Sequence, residues 1–311
     1  MKHFQKLKKY ATIGGSALLN ILSLRDGLDD YVIEQPFDFA KHSTIACGGI
    51  APIAFYPRSE VELSIILSRL KAHGIAYYVL GNLSNVLPPE DGAEKAVICT
   101  GRITEITPTA SGVFVGAGVM GGMLMRALRQ MGLSGAEFLC GIPCTLGGAL
   151  YMNAGAGGRY LSEIVDSVRI YREGLVLELP VNACEYAYKS SVFMRNGDII
   201  LGGTFRLKRT DSQTVLNEQK AWKAKRAHLP IGKSMGCIFK NPPSGSAGIW
   251  IEKSGFKGLR VGGAKVSEEH ANFIINDKAA SVADIKTLIQ MVKNGVFAQY
   301  GVLLEEEIVQ L

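Results

Sequence analysis

Beyond about residue 40 the chain alternates between short apolar runs and longer stretches that mix apolar with charged positions, the pattern of strands interleaved with helices. APIAFYP (51–57) reads as a strand and SEVELSIILSRLKAHG (59–74) as a helix, with Ser59 and Glu62 forming a capping box and Gly74 as the stop. AYYVL (76–80) is a strand that runs directly into the loop GNLSN (81–85). Short strands are expected around 97–99, 103–107 and 113–117, then a helix over 120–131 that leads into a Gly-rich segment, 135–158. In the second half, SVRIY (167–171) and DIILGGTFRLKR (198–209) read as strands and 213–228 as a charged helix. GCIFK (236–240) and NFIIN (272–276) are strands, and SAGIWIEKSG (246–255) is a helix closed by Gly255. A long helix runs from Ser281, capped together with Asp284, to Tyr300. The last strand, VLLEEEIVQL, puts Glu305 and Glu307 on one face and Glu306 on the other. The sum is an α+β chain with mixed sheets and boundaries near 45 and 209.

A length of 311 residues allows two or three lobes, and the apolar and charged fractions are those of an ordinary soluble globular protein. Glycine departs from the average: its 36 residues gather in short motifs rather than repeats, which points to backbone lying close against a ligand. The net charge of +6 suits a site for several phosphates but does not require one. No basic stripe with interleaved aromatics is present, so no nucleic-acid partner is expected. The six cysteines, at 47, 99, 140, 144, 184 and 237, form no CxxC pair and no Cys/His zinc spacing; they read as reduced cytosolic thiols, and no metal site is expected. The N-terminus faintly resembles a signal peptide but lacks an A-x-A site and a long apolar run, so an amphipathic helix is the reading there. No stretch is long enough to span a membrane.

Two loops carry the candidate chemistry. At the end of a strand, Gly81, Asn82, Leu83, Ser84 and Asn85 expose backbone N–H groups as an anion-binding nest, with Asn82, Ser84 and Asn85 adding side-chain donors. GIPCTLGGALYMNAGAGG (141–158) strips side chains from a long segment while keeping Thr145 and Asn153 as hydrogen-bonding groups. It is neither a G-x-G-x-x-G fingerprint nor a Walker loop, yet two such loops could embrace an extended pyrophosphate such as that of FAD. The bland readings are a polar turn and a tight inter-lobe connection. Tyr188-Lys189-Ser190-Ser191, Cys237 in GCIFKNP, and Glu305 to Glu307 are weaker signals, which spacing alone assigns to a surface lysine, a buried thiol and an acidic edge.

Read in order, ACGGIA, LGNLSNVL, GAEFLCGIPCTLGGALYMNAGAGG, YKSSVF, GCIFKNP, IEKSGFKG, VGGAKVSEEHANFIIN and LEEEI resemble the UDP-N-acetylenolpyruvoylglucosamine reductase (MurB) family of peptidoglycan synthesis, from about His42 to Glu307. The resemblance implies a two-lobed FAD-binding domain of the p-cresol methylhydroxylase type, over 45–209 after a lead-in segment of 1–44, and a C-terminal α+β substrate-binding domain over 210–311. It implies non-covalent FAD with its phosphates on Gly81–Asn85. Its flavin contacts would come from Gly141, Ile142, Pro143, Cys144, Thr145, Gly147, Gly148, Asn153 and Gly155. NADPH would be the hydride donor and a UDP-sugar the substrate, in a cytoplasmic monomer. Lys189 would be the cation beside the developing enolate, Cys237 the proton donor and Glu307 the acid that holds or relays charge. Tyr188, Lys240 and Asn241 would face the substrate.

Only 45 residues separate Ser191 from Cys237, as in the shorter form of the enzyme without the extra substrate-covering loop. The family usually has arginine at Lys189, serine at Cys237 and glycine at Leu83 and Cys144. Lysine loses the bidentate fork, and a thiol beside Lys189 is expected to risk ionising. Leu83 and Cys144 add bulk near the flavin, provided positive φ is not needed there. A degenerate flavin-binding relative, and an oxidase with flavin bonded to His42, His270 or Cys144, are the alternatives.

Overall fold

The computed structural model describes residue 24, residues 27–110 and residues 112–311. The expected N-terminal amphipathic helix lies outside the described residues. Ala96–Cys99 has no polar face to offer water, and it becomes an inner strand flanked in parallel by Ala54–Phe55 and Tyr77–Leu80. The helix Glu60–Ala72 fills the crossover; Ser59 accepts the N–H of Glu62, and Gly74 follows the last turn at φ +64°. The expected strand over 51–57 is two strands, Ile50–Ala51 and Ala54–Phe55, because Pro52 between them has no N–H to donate. These pair with Phe37–Asp38 and Ile33–Glu34 respectively, so residues expected in the lead-in segment are built into this first lobe.

The second lobe is a five-stranded antiparallel sheet in the order Leu175–Pro180, Val165–Arg172, Ile199–Phe205, Val113–Gly116, Ile106–Pro108. Every residue of Ile199–Phe205 is buried, and its alternation explains why. Ile199 and Leu201 point into the first lobe's core and Ile200 into the second's; a register shift at Leu201 then turns Phe205 into the second core as well. Each such side chain contributes about 1.5–3 kcal/mol by leaving water, so one strand welds the two lobes. The charged helix Ser212–Lys225, placed by sequence after the 209 boundary, packs on this lobe: Ser212 Oγ donates to Arg129 O (2.8 Å), Gln219 Nε2 to Met125 O (2.8 Å), and Trp222 joins the core. It delivers the chain to Arg226 at the mouth between the lobes.

The remaining chain forms a four-stranded sheet, in the order Ser234–Cys237, Phe273–Asn276, Ala264–Val266, Arg260–Val261, with the helices Ala247–Lys253 and Val282–Tyr300. Ser281 and Asp284 form the expected capping box. Ile45, Cys47 and Leu87 of the first lobe insert into this core, and Asn276 Nδ2 donates to Ile45 O at 2.8 Å. The terminal strand is shorter than expected: only Val309–Gln310 forms a ladder, parallel to Val86–Leu87, and Glu306 makes a single bridge to Phe239. The alternation of the glutamates nevertheless holds. Glu305 meets Lys240 and Glu307 meets Lys189, while Glu306 turns to Lys293. Among the described residues no helix is long and apolar enough to cross a membrane.

Candidate functional site

A cleft of about 1490 Å³ runs between the three units and is lined by both Gly-rich loops. Its floor is set by a close approach: a Cβ on Gly81 would overlap Thr145 Oγ1, so only glycine lets the two loops touch. The N–H groups of Asn82, Leu83 and Ser84 have no acceptor within the described protein, which leaves three successive donors for an anion. The side chains behave differently from expectation. Asn82 Nδ2 donates to Pro143 O (2.7 Å) and Asn85 Nδ2 to Glu307 O (3.0 Å), so these amides clamp loop to loop and loop to terminal segment instead of reaching a phosphate. Leu83 sits at φ +47°, so the condition on its glycine fails and the backbone is strained there. Its side chain is buried with Phe37, Phe39 and Leu80.

Thr145 caps the short helix Leu146–Tyr151, and the N–H groups of Leu146 and Gly147 bond to Val119 O (2.9 Å) and Ala117 O (2.8 Å). The second loop therefore offers close backbone rather than a free helix end. Gly141, Ile142, Pro143, Cys144, Gly148 and Gly155 all line the cleft. Asn153, expected among the flavin contacts, does not. It is 3% exposed, its Oδ1 accepts the N–H of Ser162 (3.0 Å) and its Nδ2 donates to Ala187 O (3.0 Å).

That last bond steadies a turn in which Ala187 and Ser190 exchange both backbone hydrogen bonds and Lys189, at φ +53°, occupies the tip. Buried Ser191 pins the same turn by donating to Tyr151 O at 2.6 Å. Lys189 Nζ then meets Glu307 Oε1 at 2.7 Å, with both side chains largely shielded from solvent. Glu307 is held in turn by its N–H on Ile238 O (2.8 Å) and by Asn85 on its carbonyl.

Cys237, at the end of its strand, lies in the field of this pair. Burial pushes its thiol up to about 11 and Glu307 adds to the rise, outweighing Lys189, Arg226 and a hydrogen bond with Asn272. The expected risk that Lys189 would ionise Cys237 is thus corrected: the cation is already balanced by Glu307, and the thiol keeps its proton. Its thiolate fraction at pH 8 is about a hundredfold below that of an ordinary cysteine. Iodoacetamide at pH 8 is therefore expected to label Cys237 about a hundredfold more slowly than an exposed thiol, as peptide mass spectrometry would read.

A smaller cavity of about 430 Å³ adjoins the cleft beside Tyr188, Lys240, Asn241 and Leu303. The Asn241 N–H donates to Tyr188 Oη at 3.2 Å and its Oδ1 accepts the N–H of Ala247 at 3.0 Å. Lys240 faces this side chamber, paired with Glu305, rather than the main cleft. Two further residues emerge only from the structure. Asn272, 3% exposed, holds both the Phe239 N–H (2.9 Å) and Phe239 O (2.8 Å) beside Cys237. Arg226 lines the cleft against Gly141. Neither has a spacing signal, since one looks like a strand asparagine and the other like the end of a solvated charged helix.

The architecture and the cleft match known proteins. A family model described as UDP-N-acetylenolpyruvoylglucosamine reductase, C-terminal domain, matches residues 226–311, and one described as FAD binding domain matches residues 51–178. The UDP-N-acetylenolpyruvoylglucosamine reductase of Clostridioides difficile is 37% identical over 300 residues, covering 94% of this chain and 95% of its own. That of Geobacter metallireducens is 38% identical, covering 86% of this chain and 90% of its own. A crystal structure of UDP-N-acetylenolpyruvylglucosamine reductase from Thermus caldophilus superposes with a TM-score of 0.78 at 32% identity, covering 90% of this chain and 99% of that one.

Proposed function

The chain belongs to the UDP-N-acetylenolpyruvoylglucosamine reductase family, and we propose that its cleft reduces UDP-N-acetylglucosamine enolpyruvate to UDP-N-acetylmuramate with FAD and NADPH. One observation carries the proposal: Lys189, Glu307 and a protonated Cys237 converge on a cleft that both Gly-rich loops line. The residues present fit FAD, because three successive open N–H groups stand beside bare glycine backbone and a guanidinium whose Nε is buried and unpaired, all on one cleft. The Asn82–Ser84 amides would hold the pyrophosphate, and Gly141–Gly148 with Gly155 the ring side. FAD held there would supply the hydride chemistry, from NADPH to the methylene carbon of the enolpyruvyl group.

The protein's own residues do the rest. Hydride addition leaves negative charge on the carbon that bears the carboxylate and on that carboxylate. Lys189 Nζ, rigid on its turn, stabilises this charge as a point cation. Cys237 Sγ donates its proton to that carbon, and the thiolate left behind is reprotonated from water, with Glu307 placed to relay that proton. In the resting site Glu307 also balances Lys189, which keeps the donor protonated. Tyr188, Lys240 and Asn241 would receive the sugar nucleotide at the side chamber. FAD is assigned to the lobes over 45–209 and substrate to 210–311, in a cytoplasmic monomer.

An oxidase with covalent flavin finds little support here. His42 is stacked on Phe37 and bonded to Glu34, and neither it nor His270 lines the cleft; Cys144 alone of the three does. Two measurements test the assignment. The purified protein is expected to be yellow and to release its FAD on acid precipitation, and NADPH is expected to bleach it without oxygen. Flavin that stays with the precipitate, or that NADPH never bleaches, would overturn it.

A further inference from the structure

Lys189 is neutralised by Glu307, yet the cleft holds a second, differently placed cation. Arg226 Nε is sealed from solvent and has no hydrogen-bond partner. No carboxylate lies within ion-pair distance of its guanidinium among the described residues. Burial lowers the proton affinity of the group, but guanidinium stays charged at any working pH. Lys223 also borders the cleft, but it is exposed to water. Arg226 thus brings a cation to the cleft with its Nε buried and unpaired and the rest of its side chain half-buried.

Its position says what the donor faces. Nε lies 3.5 Å from where a Cβ on Gly141 would stand, so the guanidinium rests on bare loop backbone that a side chain would have displaced. Its charge acts on both Cys144 and Cys237. Cys237 marks the reacting carbon in the proposed function, and the carbon that receives hydride is bonded to it. The hydride-carrying ring must lie beside Cys237, which shares the cleft with Arg226, while the open N–H groups of Asn82–Ser84 are left for the phosphates.

We infer that Arg226 is a positioning and charge-stabilising residue for the ring of the bound FAD, holding the negative charge that two-electron reduction leaves on it. The inference rests on the FAD assignment above. The balance is simple: hydride brings two electrons and one proton from NADPH, NADP⁺ departs, and the ring gains one negative charge with no proton from the protein. A cation beside the ring favours the reduced form and raises the midpoint potential; a neutral side chain does not.

The test is the midpoint potential of bound FAD, read by dye equilibration, for wild type, R226Q, R226M and R226K, together with FAD affinity by fluorescence. Both neutral variants are expected to lower the ratio of reduced to oxidised cofactor at fixed potential by roughly 10- to 100-fold, a midpoint about 30–60 mV more negative. R226K, which keeps the charge, is expected to stay within about threefold of wild type. Neutral variants with the wild-type midpoint would overturn the inference. So would an unchanged midpoint with a raised KM for NADPH or the UDP-sugar, which would give Arg226 to a substrate phosphate. Wild-type protein that binds no FAD would instead bring down the functional assignment itself.

Discussion

Cys237→Ala is expected to leave reduction of the bound cofactor by NADPH at the wild-type rate and to slow reoxidation by the UDP-sugar by roughly 10²–10⁴-fold, the usual contribution of a positioned general acid. The asymmetry follows from where Cys237 acts. NADPH gives up hydride and needs no proton from the protein, whereas the enolpyruvyl carbon cannot finish its reduction without one. Burial and Glu307 hold the thiol up at about 11, so the proton is present throughout the neutral range. The second half-reaction is accordingly expected to show no break from Cys237 ionisation between about pH 6 and 9, because an acid with a raised value loses its proton only as the pH climbs towards that value. Cys237→Ser is expected to stay within about tenfold of wild type, since a hydroxyl can donate from the same place. Rapid-mixing measurement of each half separately decides the matter: equal loss in both halves would remove Cys237 from the proton-transfer role.

The second large effect is expected at Gly81. Its α-carbon faces Thr145 Oγ1 so closely that Gly81→Ala must push the two loops apart. Thr145 is 3% exposed and caps the helix Leu146–Tyr151, so it has nowhere to retreat. An overpacked contact of this kind costs about 1–3 kcal/mol, which predicts FAD bound roughly 10- to 100-fold more weakly and protein that purifies pale. The double variant G81A/T145A removes the obstructing oxygen at the cost of a cap, about 1 kcal/mol, and is expected to regain most of the lost affinity. Equilibrium titration with FAD reads both. A pale double variant would place the damage elsewhere than in this contact.

Much of this geometry was legible in the residues, and the failures have physical causes. Capped helices and apolar runs announce themselves locally, which is why Glu60–Ala72 and Val282–Tyr300 fall where Ser59 and Ser281 place them. Leu175–Pro180 escaped because, at the outer edge of its sheet, it exposes Leu175 and Val176, which leaves only Leu177 and Leu179 around Glu178 to show the alternation. At the site, the Gly-rich loops and the alternation of Glu305 to Glu307 could be read directly, but not the destination of each amide. Asn82, Asn85 and Asn153 look like ligand donors in sequence and serve as clamps in the fold, because their acceptors lie 61, 222 and 34 residues away. The same distance in sequence hides the Lys189–Glu307 pair, and with it the reason why Cys237 stays a thiol. Arg226 shows the limit most plainly: only folding brings one charge of a solvated-looking helix end to the cleft with its Nε sealed over Gly141.

The most direct test of the whole account is an anaerobic rapid-mixing experiment in two steps. NADPH is first mixed with the purified holoenzyme, and UDP-N-acetylglucosamine enolpyruvate is then added to the reduced protein. The account predicts full bleaching in the first step, then recovery of the colour with one equivalent of UDP-N-acetylmuramate per cofactor. Bleached protein that regains its colour only when oxygen is admitted would contradict it.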